Sequence, residues 1–245
     1  MVIFAGLSVC LLILTALFVA IKTSVLWLRT RGVPELLLSL MLLCATVLGY
    51  PLTIASSRIP PTELWGVHVA SQVAMGLGFA CLLLFTLKVF RPGSVWAWCL
   101  VGVSLAMIVG AAGVYIGELS RAHPRRPFEM VGLVVFASTP IAIAYFWTTL
   151  ESLGHYRQLR RRLRLGLCEV VVANRMLLWG LMATSAGLAV VLNVGAAVVG
   201  AYLSPPVVLV SSILGVAHAS CLFLAFHPPA WYRLWLEGSQ EMAAA

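Results

Sequence analysis

The sequence predicts an all-α, polytopic membrane protein: a seven-transmembrane-helix bundle with its N-terminus outside and its C-terminus cytoplasmic. Three observations predict it. Of 245 residues, 62% are hydrophobic and only 10% charged, against about 45–50% and about 25% in soluble domains. Mean hydropathy is +1.02. The apolar residues fall into runs at 3–28, 33–55, 63–89, 94–118, 128–153, 172–200 and 205–226, each meeting the roughly 20 residues that a spanning helix needs. A cytosolic enzyme, a disordered chain and a secreted disulfide scaffold are all excluded. Residues 1–229 read as one membrane domain, and 230–245 as a short interfacial helix and tail.

Each run has its own punctuation. Residues Met1–Ala20 lack a basic n-region and a small-residue cleavage site, so the first run reads as a span rather than a cleaved leader. Arg31-Gly32-Val33-Pro34-Glu35 opens the second: proline has no N–H to waste in a first helical turn, and a carboxylate suits the positive end of the helix dipole. Ile59-Pro60-Pro61-Thr62 separates the second and third runs, and Arg91-Pro92-Gly93-Ser94 the third and fourth, with Ser94 placed to cap. His123-Pro124-Arg125-Arg126-Pro127 precedes the fifth, Ser204-Pro205-Pro206 opens the seventh, and His227-Pro228-Pro229 closes it. Trp65, Trp96, Trp98, Trp147, Trp231 and Trp235 fall near run ends, as an aromatic belt requires.

Charge sets the orientation. Seven crossings put Lys22, Arg29, Arg31, Lys88, Arg91, Arg157, Arg160, Arg161, Arg162, Arg164, Arg175 and Arg233 on one side. Arg58, Arg121, Arg125 and Arg126 fall on the other. Twelve against four places the first group in the cytoplasm by the positive-inside rule. A net charge of +8 in such a chain reports topology and anionic lipid, not nucleic acid. Arg157, Arg160, Arg161 and Arg164 follow i, i+3, i+4, i+7, and Leu159, Leu163 and Leu167 line another face. With Arg162 these arginines predict a basic extension of the fifth helix that meets anionic headgroups or a cytoplasmic signalling partner.

Polar side chains at membrane depth are costly, so their placement is informative. His68 and Gln72, four residues apart, share a face of the third helix. Asn193 falls in the outer half of the sixth. Ser211 and Ser212 lie about 8–9 Å below the start of the seventh, and His218 about 18 Å below it. Ser138, Thr139 and Pro140 sit near mid-depth on the fifth, with Tyr50, Pro51 and Tyr115 further out. These positions predict an outward-facing, partly polar cavity between the third, fifth, sixth and seventh helices. His68, Gln72, Asn193, Ser211, Ser212 and His218 would bind a small-molecule ligand there. Interhelical hydrogen bonding is the alternative use of the same groups.

No catalytic, metal or cofactor set is expected. The chain contains no Asp. His68 and His218 differ in depth by about 12 Å, too far apart to share a haem. No acid lies near His218 to orient a serine–histidine pair. Cys10, Cys44, Cys81, Cys99, Cys168 and Cys221 form no C-x-x-C pair and read as small buried hydrophobes. Gly76-Leu77-Gly78 and the G-x-x-x-G of Gly113 and Gly117 predict close helix approach.

The layout resembles that of seven-helix receptors, but the arginine triplet after the third helix and the Asn-Pro-x-x-Tyr of the seventh are absent. A retinal lysine is absent as well, the only lysines being Lys22 and Lys88. Two stretches carry a closer likeness: Arg29 to Leu38 with Gly49-Tyr50-Pro51, and Leu224 to Leu236. In them the chain resembles a bacterial seven-transmembrane-helix family, and the membrane sensory modules that precede bacterial histidine kinases and diguanylate cyclases. That likeness implies a bacterial inner-membrane sensor or receptor-like protein in signal transduction, and the missing catalytic set argues against an enzyme. A small-molecule transporter or permease, or a structural or assembly protein, are the alternatives.

Overall fold

The computed structural model describes residues 2–60, 63–121, 130–202 and 204–244. Eight helices occur among them: α1 (Val2–Thr30), α2 (Val33–Arg58), α3 (Trp65–Phe90), α4 (Val95–Leu119), α5 (Val131–Arg164), α6 (Val170–Val198), α7 (Pro205–Phe226) and α8 (Ala230–Ala244). The first seven are long and apolar enough to cross a membrane, and the chain is a multi-pass membrane protein on that ground. The motif 123–127, with Arg125 and Arg126, and Pro61 and Thr62 lie outside the described residues.

Each of the first seven helices packs against its neighbour in sequence, α7 closes back onto α1, and α3 also touches α5. The result is a ring of seven. Its alternating directions give it two ends, an N-end where α1 begins and a C-end where α7 finishes.

The core fills the C-end half. Ala16, Val19, Leu42, Leu83, Val101, Met182 and Leu222 are almost wholly buried there. Short polar side chains knit the same layer. Thr86 and Thr148 hydroxyls meet at 2.7 Å between α3 and α5. Ser39 donates to the Ala20 carbonyl and meets the Ser24 hydroxyl, tying α2 to α1. Lys22 Nζ donates to the Phe226 carbonyl at 3.0 Å. The ammonium therefore caps the negative end of α7, where a cation is favoured, instead of only reaching for the headgroups.

Helix ends follow the local sequence. Gly166 and Gly200 have φ +69° and +71°, conformations open to glycine. The following N–H reaches back five residues in each case, Leu167 to Arg162 and Ala201 to Ala196, which closes α5 and α6 with Schellman turns. Gly32 precedes α2, with proline and Glu35 in its first turn as expected. Ser94 does occupy the N-cap of α4, but its side chain makes no capping bond.

Four expectations of detail are corrected. Trp147 does not join a belt: it is buried, and its indole N–H donates to Glu151 at 3.2 Å. That carboxylate also accepts from Arg91 at 2.8 Å, and the bond raises the guanidinium's already high pKa. No cysteine is buried; Cys10 and Cys99 are exposed on the lipid-facing surface and the other four are half-buried, all six being free. Gly113 and Gly117 have nothing near them, whereas Gly78 lies hard against Ala45 of α2. Leu167 lies beyond the end of α5, so the apolar face of the basic extension consists of Leu159 and Leu163, both half-buried.

α8 lies against α6. Asn174 Nδ2 donates to Tyr232 Oη at 3.0 Å and Leu236 is buried. Trp231, Leu234 and Trp235 share the opposite face and are exposed, the pattern of a helix lying in the membrane interface.

Candidate functional site

The N-end half is hollow. A cavity of about 340 Å³ opens there, within the size range of small-molecule sites. α2 contributes Ala45, Thr46, Tyr50 and Thr53, and α5 contributes Ser138, Ile141 and Tyr145. α6 adds Ser185 and Asn193, and α7 adds Ser211 and His218. Phe79 and Met75 of α3 and Leu12 of α1 complete the wall, and Tyr202 lies at the N-end.

Two of the bordering helices carry a proline inside the span, Pro51 in α2 and Pro140 in α5. Pro51 lacks the N–H that would bond Val47, and its ring would collide with that carbonyl. Residues Leu42–Gly49, just before it, are wound as a π-helix, and Tyr50 N–H reaches back to Ala45. Wider winding is a recurrent mark of functional sites. Pro140 stands inside α5 between Ser138 and Ile141 and removes the N–H that would bond Phe136, but α5 stays α-helical through it. Both prolines stand beside residues that line the cavity.

Three of the six residues expected to bind ligand line this cavity: Asn193, Ser211 and His218. Asn193 Nδ2 donates to Ala189 O at 2.7 Å and to Ser211 Oγ at 3.1 Å. His218 Nδ1 lies 3.2 Å from Met182 O. A carbonyl only accepts, so the proton sits on Nδ1 and Nε2 is left as an acceptor.

The other three lie elsewhere. His68 is fully buried outside the cavity. Its Nε2–H donates to Ile59 O at 3.0 Å, so Nδ1 accepts from Tyr115 Oη at 2.7 Å. The imidazole is a joint between α2, α3 and α4. Gln72 borders a separate void of about 50 Å³. Ser212 turns its hydroxyl to its own helix, onto Val208 O, and its carbonyl accepts from Ser8. All four expected helices border the cavity, but α2 is added as a principal wall, and His68 and Gln72 lie off it.

Sequence reasoning missed Thr46, Thr53, Tyr145, Ser185 and Tyr202. Pro51 and Pro140 were the available signal, because transmembrane helices break where they border a cavity. No Asp, Glu, Lys or Arg lines the wall among the described residues. Burial raises the Tyr202 phenol pKa, and nearby Tyr50 adds to the rise.

The basic extension stands far from this cavity. Arg157, Arg160, Arg161, Arg162 and Arg164 are all exposed on the last turns of α5. Among the described residues, no group of three or more metal-ligating side chains occurs. Compared with known proteins, the chain matches no protein-family model, no curated protein and no solved structure.

Proposed function

We propose that this is a seven-helix membrane sensor or receptor-like protein that takes a small ligand into the N-end cavity and signals through α5. One observation carries the reading: the helix that borders the cavity at Ser138 and Tyr145 runs on unbroken in sequence to the exposed arginine tip. Its 34 residues span about 51 Å at 1.5 Å per residue, while the hydrocarbon core is only about 30 Å thick. Pro140 supplies a hinge beside the cavity. The packed C-end half argues against an open pore.

The test needs no ligand. Ala186→Phe places a ring in the cavity as a surrogate occupant. Spin labels at Gln158 on the α5 tip and Val95 at the start of α4, both exposed, are expected to change separation by about 2 Å, the scale of helix shifts in switching proteins. An unchanged distance distribution in the folded variant would rule the sensor reading out.

A small-molecule transporter is the second reading. The π-wound segment of α2 beside the cavity favours it, since transporter sites form where spanning helices depart from regular winding. Solute uptake by proteoliposomes, blocked by Ala186→Phe, would select it.

In this proposal the N-end faces outward and the protein resides in a bacterial inner membrane, its arginine tip against anionic headgroups, each charge contributing about 1 kcal/mol. Single cysteines at Ser57, Ser120 and Ser204, in a cysteine-free background, should react with an impermeant thiol reagent from outside. One at Gln158 should not. Ser152, on the same side by sequence, is buried and makes no probe. The reverse labelling pattern would invert the topology.

A further inference from the structure

We infer that the N-end cavity selects an uncharged, ring-sized ligand that carries both a hydrogen-bond donor and a carbonyl-type acceptor, as amides and lactams do. The inference rests on the ligand-binding reading above and names the ligand class.

Charge decides first. The wall offers no ionised side chain among the described residues, and the cavity opens within the spans. A carboxylate, phosphate or ammonium would lose its hydration there without gaining a counter-charge, at a cost of several kcal/mol per ion. An uncharged molecule escapes that cost.

Hydrogen-bonding capacity decides next. Thr53, Ser185, Asn193, Ser211 and His218 are already hydrogen-bonded, whereas four hydroxyls of the wall, Thr46 and Tyr50 on α2 and Ser138 and Tyr145 on α5, make no hydrogen bond to another described residue. On α5, the Tyr145 and Ser138 hydroxyls make no hydrogen bond to another described residue, so each can donate into the cavity. On α6 and α7, His218 has spent its N–H on Met182 and Asn193 has spent its NH₂ on Ala189 and Ser211. What they present is the His218 Nε2 lone pair and the Asn193 Oδ1. The α2 and α5 hydroxyls can donate, His218 Nε2 and Asn193 Oδ1 accept, and the Ser211 hydroxyl, which accepts from Asn193, keeps its own O–H beside them. A ligand with an acceptor toward α5 and an N–H or O–H toward α6 and α7 satisfies both.

Shape decides last. Tyr145 meets Phe79 edge-on, with ring centroids 5.5 Å apart at 83°, and Tyr50 adds a third ring. Flat aromatic faces favour a planar occupant.

Four probes of one size separate these terms: benzamide, benzoate, benzylammonium and toluene. Each is titrated calorimetrically into the full chain in nanodiscs. Benzamide is expected to bind, and the two ions are not. Tyr145→Phe and Ser138→Ala delete only hydroxyls that bond to no other described residue, so both variants should fold normally. Each should weaken benzamide about 2–10-fold, the loss of one hydrogen bond. Tighter binding of either ion, equal binding of toluene, or variants that leave benzamide affinity unchanged would overturn the ligand class while the cavity remains a binding site. Failure of all four probes would overturn the cavity reading itself, and this inference with it.

Discussion

Replacing Gly78 with leucine is expected to destabilise the bundle by about 3 kcal/mol, at the upper end of what overpacking costs. A Cβ at this position would lie 2.5 Å from both the amide nitrogen and the Cβ of Ala45, and 2.8 Å from its Cα. Those atoms belong to main chain, or stand directly on it, so no rotamer change relieves the contact. α3 has to back away from α2 where the π-wound segment passes. Unfolding by steric trapping in bicelles measures the loss, and Gly113→Leu serves as the control, because nothing stands near that glycine. Equal stability of the two variants would show that α2 and α3 do not approach as described. Since Ala45 also borders the cavity, Gly78→Ala should weaken benzamide binding at a smaller cost in stability.

His68→Ala is expected to cost about 3 kcal/mol of stability and to leave ligand affinity intact. The substitution strands the half-buried Ile59 carbonyl and the buried Tyr115 hydroxyl, at about 1–3 kcal/mol each, and leaves a void as well. Tyr115→Phe removes only the donor to Nδ1 and should cost about half as much. Benzamide titration of the folded fraction provides the second readout, with affinity unchanged within about twofold. A stable His68→Ala protein with weakened binding would return this histidine to the ligand site.

His68 marks the limit of what the sequence discloses. A histidine one turn into a span announces a polar partner, but the partner can be a ligand, a neighbouring helix or a loop carbonyl. Only the packing of Tyr115 and Ile59 against it decides. The spans were legible because long apolar runs and Pro/Gly punctuation report on membrane solvation, which acts on every residue alike. All seven helices accordingly fall close to the predicted runs, and the fifth does extend to its arginine tip. Depth was a poorer guide: the helical rise grouped His68 and Gln72 with Asn193 and set His218 deeper than Ser211, yet the cavity takes in Asn193, Ser211 and His218 and leaves His68 and Gln72 out. Rotation was not legible. The π-helical turns before Pro51 make each bond span five residues instead of four, which turns the face of α2 that follows and brings Tyr50 and Thr53 into the wall. Gly78 and Gly113 tell the same story: identical chemistry on successive helices, with only one facing a neighbour.

The clasp between α1 and α7 has a consequence for biogenesis. Lys22 with Phe226, and Ser8 with Ser212, are pairs 204 residues apart. During translation the first span enters the bilayer long before its final neighbour exists. Until α7 emerges, the ammonium has no helix end to cap, the Ser8 hydroxyl has no carbonyl, and the nascent ring remains an open crescent. Closing so long a loop is entropically slow relative to pairing adjacent hairpins. The last span to be synthesised is therefore the one that converts six loosely ordered helices into a walled chamber, and a ribosome that stalls before residue 205 leaves a membrane intermediate with an unguarded polar cleft.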